Sequence, residues 1–235
     1  MILVLANRAD EGAAALVDRW QYVGARIVLP EMLSAWGFSY RAGGKESARA
    51  MVDCDVDESC IRGVLVRMHA ALPSDVTYVR ASDRSYVATE MTAFLLAWLS
   101  ALSCPVLGRP TSTSLAGPML RPEQWLHVAG KAGVPVRPVR RSSRQSNQEK
   151  PIVTEVVTVV ENECIGARSE ALADRALAVA RAANARLVTT YFEGPLDNPV
   201  FVHADTWVDL DDPDIEGAVL SILCGQQARE KEMVP

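Results

Sequence analysis

Two kinds of apolar pattern take turns along the chain. Ile2 to Leu5 is a short unbroken apolar run, as expected of a strand covered on both faces. Asp10 is placed to cap a helix reaching about Tyr22, with Ala14, Leu16, Val17 and Trp20 on roughly one side. A second strand, Ala25 to Leu29, stops at Pro30. From Glu31 to Ser59 the pattern weakens, through Gly43-Gly44 and the acidic run Asp53 to Glu58, and reads as loop and irregular strand. Ile61 to Arg67 restores a strand, and Ser82 or Asp83 opens a long helix through Tyr86, Glu90, Phe94, Trp98 and Leu102. A brief strand at Pro105 to Leu107 leads into the turn-rich segment Gly108 to Ser114. Pro122 and Glu123 mark the start of another helix and Gly133 its end, before a strand at Val134 to Val139.

Residues 140 to 150, RRSSRQSNQEK, form a markedly polar stretch and the natural boundary of a first domain spanning 1–139. The second domain, 151–235, opens with the β-branched run Val153 to Val160 and a turn at Glu161-Asn162-Glu163. A helix capped by Ser169 follows, with Leu172, Ala176, Leu177 and Ala180 as its stripe. Arg186 to Phe192 and Pro199 to His203 read as a hairpin around Gly194-Pro195, and Asp212-Pro213 begins the last helix. Strands and helices in this order specify a layered α/β fold, with a doubly wound first domain and a smaller α+β second one. No internal repeat is visible.

Composition narrows the function classes. The net charge of −5 argues against a broad basic face for nucleic acid. The longest apolar stretch, Met91 to Leu102, is broken by Thr92 and Ser100 and too short to span a membrane. The opening MILVLANRAD lacks a basic n-region, so it reads as a strand and not as a signal peptide. Five scattered cysteines with no CxxC pair suit a reducing cytoplasm. Arginines outnumber lysines five to one, which fits a bacterial coding style. The opening βαβ unit carries no GxGxxG, so a dinucleotide fingerprint is missing.

Against this background, Arg62 to Val139 resembles the front part of ATP-grasp proteins of the peptide- and amino-acid-ligase type. The resemblance rests on Gly63-Val64-Leu65-Val66-Arg67, on Tyr86 to Trp98 with Glu90 inside it, and on Pro105-Val106-Leu107-Gly108-Arg109-Pro110. Leu115-Ala116-Gly117, Gln124-Trp125 and Gly133-Val134-Pro135-Val136 complete the series. Val153 to Gly166 is similar to the strand pair that carries the phrase Val-Val-Gly in relatives, though here Glu161 and Asn162 follow Val160. Phe201 to Leu210 is similar to the family's metal-bearing strand, with His203 and Asp205 at its Glu and Asn positions and Asp209 at its Asp. The resemblance implies a doubly wound pre-ATP-grasp domain followed by a reduced grasp domain.

The resemblance also implies a chemistry: ATP converts a carboxylate to an acyl phosphate, which an amine then attacks. Placing a carboxylate against a triphosphate demands fixed cations, supplied in the family by two strand lysines and Mg²⁺. Downstream of Val139 this chain has only Lys150, in the polar stretch, and Lys231, in the tail. About sixty residues separate Val139 from Phe201, fewer than two packed lobes need. Arg140 and Lys150 are the candidates for a nucleotide phosphate. His203, Asp205 and Asp209 are the candidate metal ligands, with solvated strand and turn residues as the alternative. Arg67, Arg109, Thr111 and Arg121 are candidates for an anion or substrate cleft at strand ends. Glu90 on its apolar helix would be half-buried against Arg67 or Arg109, and His69 and His127 show no catalytic partner in the local sequence.

The expectation is a reduced ATP-grasp-like protein of a bacterial biosynthetic pathway. It would bind a small acidic molecule, a peptide or a partner enzyme without activating a carboxylate itself. The alternatives are an ATP- and Mg²⁺-dependent carboxylate–amine ligase and a metal-binding subunit. No nucleic acid or membrane partner is expected, and a homodimer stays open.

Overall fold

The computed structural model describes residues 1–36, 38–39, 49–52, 54–55, 60–138 and 152–225, with side chains described outside 36–59. The chain divides into two compact units, Met1–Gly117 with Leu210–Pro235, and Pro118–Asp209.

The first unit is built on four parallel strands. β1 (Ile2–Leu5) lies between β2 (Ala25–Val28) and β6 (Gly63–Val66), and β7 (Val106–Leu107) completes the order β2-β1-β6-β7. All four residues of β1 are fully buried, which is why it reads as an unbroken apolar run. α1 (Glu11–Arg19) starts where the Asp10 carboxylate accepts the Ala13 amide at 3.0 Å, and Gly24, at φ +75°, turns the chain into β2.

Pro30, expected only to stop a strand, is instead the first residue of α2 (Pro30–Trp36), a position that suits its fixed φ. Short strands β3 (Phe38–Ser39), β4 (Arg49–Val52) and β5 (Cys54–Asp55) pair antiparallel in the order β3-β4-β5. α3 (Arg84–Ala101) buries Ala88, Met91, Leu95, Trp98 and Leu99 against a core that includes Leu3, Leu5, Val64 and Val66.

The second unit is an antiparallel sheet with helices on one face. α4 (Pro122–Lys131) and α5 (Glu170–Ala182) pack on β8 (Glu155–Val160), β9 (Glu163–Ile165), β10 (Leu187–Glu193) and β11 (Val200–Asp205), ordered β11-β10-β8-β9. Trp125, Val157, Val188, Phe192 and Phe201 sit at the centre of its core. The expected strand over Val134 to Val139 reduces, within the described residues, to a single bridge between Val136 and Phe201. Glu161 stands at φ +58°, in the left-handed region that favours glycine. That is the position after Val-Val where relatives were expected to carry glycine.

α6 (Pro213–Leu223) packs against β6 and β7 of the first unit. Its Glu216 carboxylate accepts from the Trp20 indole at 2.7 Å and from the Arg19 guanidinium at 2.9 Å, fixing it to the end of α1. The division therefore differs from the expected one: it falls before α4, not at Val139, and the last helix returns to the first unit. The 140–150 stretch lies outside the described residues.

Candidate functional site

In the first unit, the carboxyl ends of β1, β6 and β7 carry the polar chemistry. β1 runs to β2 on one side and β6 lies on the other, so the topological switch point falls between β1 and β6, where open parallel sheets place ligands. Arg67, the residue after β6, reaches the loop after β1 and grips Asp10: Nε to Oδ2 is 2.7 Å and Nη2 to Oδ1 is 3.3 Å. Both side chains are largely buried, at 12% and 6% exposure. One Asp10 carboxylate thus serves the helix start and the guanidinium together. Removing either partner would strand a buried charge, a loss of about 3–5 kcal/mol. The expected anion ligand Arg67 is therefore already neutralised at short range.

Around this pair the other groups are also matched. The Asn7 amide donates to Asp75 Oδ2 at 2.6 Å, and the Leu72 amide donates to the same oxygen at 2.9 Å. His69 Nδ1 lies 3.0 Å from Ser114 Oγ, which accepts the Ala116 amide at 3.2 Å. The Ser114 hydroxyl either donates to Nδ1 or accepts from it, according to the His69 tautomer. Ser114 is only 3% exposed, so it orients His69 and is not placed as a nucleophile.

Gly108, at φ +73°, lets the following loop press on β6, since a Cβ there would lie 2.7 Å from the Val66 carbonyl. Arg109 beyond it is exposed, and Thr111 closes a small bridge with Ser114. Glu90 faces solvent on α3 and Arg67 pairs with Asp10, so the expected half-buried ion pair at Glu90 is not formed.

In the second unit, a register shift between Tyr191 and Phe192 sets His203 opposite Tyr191 and Asp205 opposite Thr189. The Tyr191 and His203 rings stack 5.9 Å apart at 16°. Burial pushes His203 below its ordinary pKa, with Asp205 opposing, so the ring is neutral at neutral pH. Burial pushes Tyr191 up, and the charges of Asp205 and Asp209 add to that.

Of the three candidate ligands, two have other partners within the unit. Asp205 accepts the Trp207 amide at 2.8 Å and His203 is stacked on Tyr191. Among the described residues no group of three or more His, Cys, Asp or Glu side chains is placed to hold a metal ion. Arg121 is exposed before α4, where the Gln124 side chain accepts its amide. His127 is exposed on α4. Arg140 and Lys150 lie outside the described residues. No helix among the described residues is long and apolar enough to cross a membrane.

The sequence signal for the Asp10–Arg67 pair was limited to an arginine ending a strand and an aspartate opening a helix. Nothing local pointed to His69–Ser114, which are 45 residues apart.

Comparison of the sequence with protein-family models and with curated proteins gives no match. Comparison with solved structures does. The macrocyclase MdnC of Microcystis aeruginosa, bound with the precursor peptide MdnA, superposes with a TM-score of 0.66 at 11% identity over 96% of this chain and 100% of that one. The ATP-grasp ligase PsnB, complexed with a minimal precursor, Mg and ADP, gives 0.61 at 14% identity over 97% and 96%. A ligase of Chryseobacterium gregarium, described as RiPP-associated and ATP-grasp and complexed with ADP and a leader and core peptide, gives 0.57 at 11% identity over 96% of each chain. These likenesses run through almost the full length of both partners, and the chain has the ATP-grasp fold.

Proposed function

We propose that this protein binds a peptide within a peptide-modifying biosynthetic pathway and does not itself activate a carboxylate with ATP. The observation that carries this reading is a contrast between fold and charge. Structural neighbours with this fold are complexed with precursor peptides, whereas none of the described strands of this chain contains a lysine. Two lysines on adjoining strands are what the resemblance requires for the phosphates. Arg67 is held by Asp10, His203 is stacked on Tyr191, and Asp205 accepts the Trp207 amide. The donors among the described residues therefore do not fit a magnesium nucleotide, and no step of the function is routed through one.

In this reading the fold is kept for its recognition surfaces. The switch-point rim of the first unit offers matched polar groups. The second unit offers a neutral Tyr191–His203 platform and, four residues further along the chain, Trp207 at 43% exposure. Surfaces of this kind suit amide groups and side chains better than a polyphosphate. A cytoplasmic setting and a bacterial source are part of the same proposal.

The test is a selection from a displayed library of random peptides on the purified chain without nucleotide, followed by calorimetry on the enriched sequences. The expected result is one saturable site per chain that ATP and Mg²⁺ leave unchanged. Enrichment of no sequence, or binding that appears only with nucleotide, would overturn the reading.

A further inference from the structure

Glu31, at the start of α2, is 8% exposed, and its side-chain oxygens are treated unequally. Oε1 accepts one hydrogen bond from Arg8 Nε at 3.0 Å, while the buried Oε2 has no hydrogen-bond partner. Asp10 and Arg67 in the same unit show what a fully formed pair looks like: two bonds, with both side chains buried. In the Arg8–Glu31 pair the carboxylate is 10% exposed and the arginine 74%. A buried acceptor left half-matched is costly, whereas the exposed cation facing it gains little from one screened bond.

We propose that Glu31 anchors a binding site for an organic cation, the ammonium or guanidinium of a basic side chain, and that Arg8 is its displaceable internal stand-in. The position supports this. Arg8 lies in the loop leaving β1 and Glu31, the second residue of α2, stands three residues past the end of β2, so both belong to the carboxyl edge of the parallel sheet, next to the switch point. The charge supports it too. The rim carries the carboxylates of Asp10, Glu31 and Asp75. Asp10 is matched by Arg67, and Asp75 accepts from the neutral Asn7 amide and the Leu72 N–H. When Arg8 swings into water, a buried carboxylate with neither oxygen hydrogen-bonded remains, which selects a cation and rejects a phosphate. A peptide as the source of that cation rests on the function proposed above; the site itself does not.

The probe is Nα-acetyl-lysine N-methylamide, titrated into the ¹⁵N-labelled full chain, with the norleucine analogue as the neutral control. Saturable shifts centred on residues 8 and 31 are expected with the lysine probe alone. Arg8→Ala should bind about two- to fivefold more tightly, since the internal competitor is gone. Glu31→Gln, close in shape, should lose at least about tenfold. Arg8→Gln serves as a second neutral variant should Arg8→Ala fold poorly. Equal binding by Glu31→Gln, or no gain in either Arg8 variant, would overturn the site and leave an ordinary edge ion pair. Selected peptides that keep their affinity when their basic residues are replaced would overturn a peptide as the source of the cation. Probe binding without any selectable peptide would overturn the peptide reading alone.

Discussion

Thr158 and Thr189 share a 3.0 Å hydrogen bond between their hydroxyls, with 3% and 6% of each residue exposed. Changing Thr189 to Val strands the Thr158 hydroxyl and should cost about 1–3 kcal/mol. Changing both to Val removes both polar groups and should restore most of the loss. Urea midpoints of the two variants check this, and a double variant as weak as the single one would contradict it.

His203 sets a pH dependence at the same scale. Its folded pKa lies below the ordinary 6.5 because the ring is buried. As pH falls through 6.5 the unfolded chain takes up a proton that the folded chain resists. Stability is therefore complete above that value and declines below it. Between about pH 7 and pH 5 the wild type should lose more thermal stability than His203→Gln; parallel slopes would contradict the burial of the ring. Cys164 is a quieter case. Burial pushes its thiol up to about 11, so alkylation by iodoacetamide near pH 8 should be slow in the folded chain and fast in urea.

At the scale of elements, the caps and stripes were written locally and the docking was not. Asp10, Ser169 and Asp212 each accept amides from the helix they open, as their sequence positions implied. Val153 to Val160 and Arg186 to Phe192 delivered strands for the same reason. What was hidden was distance. Trp20 and Glu216 meet across 196 residues, and Asp10 and Arg67 across 57. No local pattern encodes which acid finds which base. The many apolar residues of α3 imply burial for Glu90, yet its side chain lies on the exposed strip of the helix.

Two substitutions test the docking of α6. At Gly63 a Cβ would lie 2.6 Å from the Leu223 carbonyl oxygen and 2.8 Å from its Cα, both backbone atoms. Gly63→Ala should therefore cost about 1–3 kcal/mol. Glu216→Ala leaves the buried Trp20 indole N–H unmatched, at a similar cost. Glu216→Gln should recover part of it. Denaturant midpoints unchanged in all three would place α6 elsewhere.

The whole molecule presents an ATP-grasp fold whose described strands lack lysine. The fold was legible because unbroken apolar runs such as Ile2 to Leu5 and Gly63 to Val66 mark the strands of a buried sheet, and the structural neighbours share this fold at only 11–15% identity. The site was legible only in part. Arg67, Arg109 and Thr111 do fall at the carboxyl edge of the first sheet, but the charge of Arg67 is matched by a residue whose role looked purely that of a cap. His203 stacks on Tyr191 and Asp205 closes a turn to Trp207, partners that the alternation along the strand did not reveal.

Function therefore turns on whether this arrangement accepts a nucleotide. The most direct measurement is a calorimetric titration of the purified chain with ATP in the presence and absence of Mg²⁺. No saturable heat is expected up to millimolar nucleotide under either condition. A Mg²⁺-dependent isotherm with one site per chain would contradict that expectation and restore the carboxylate–amine ligase reading.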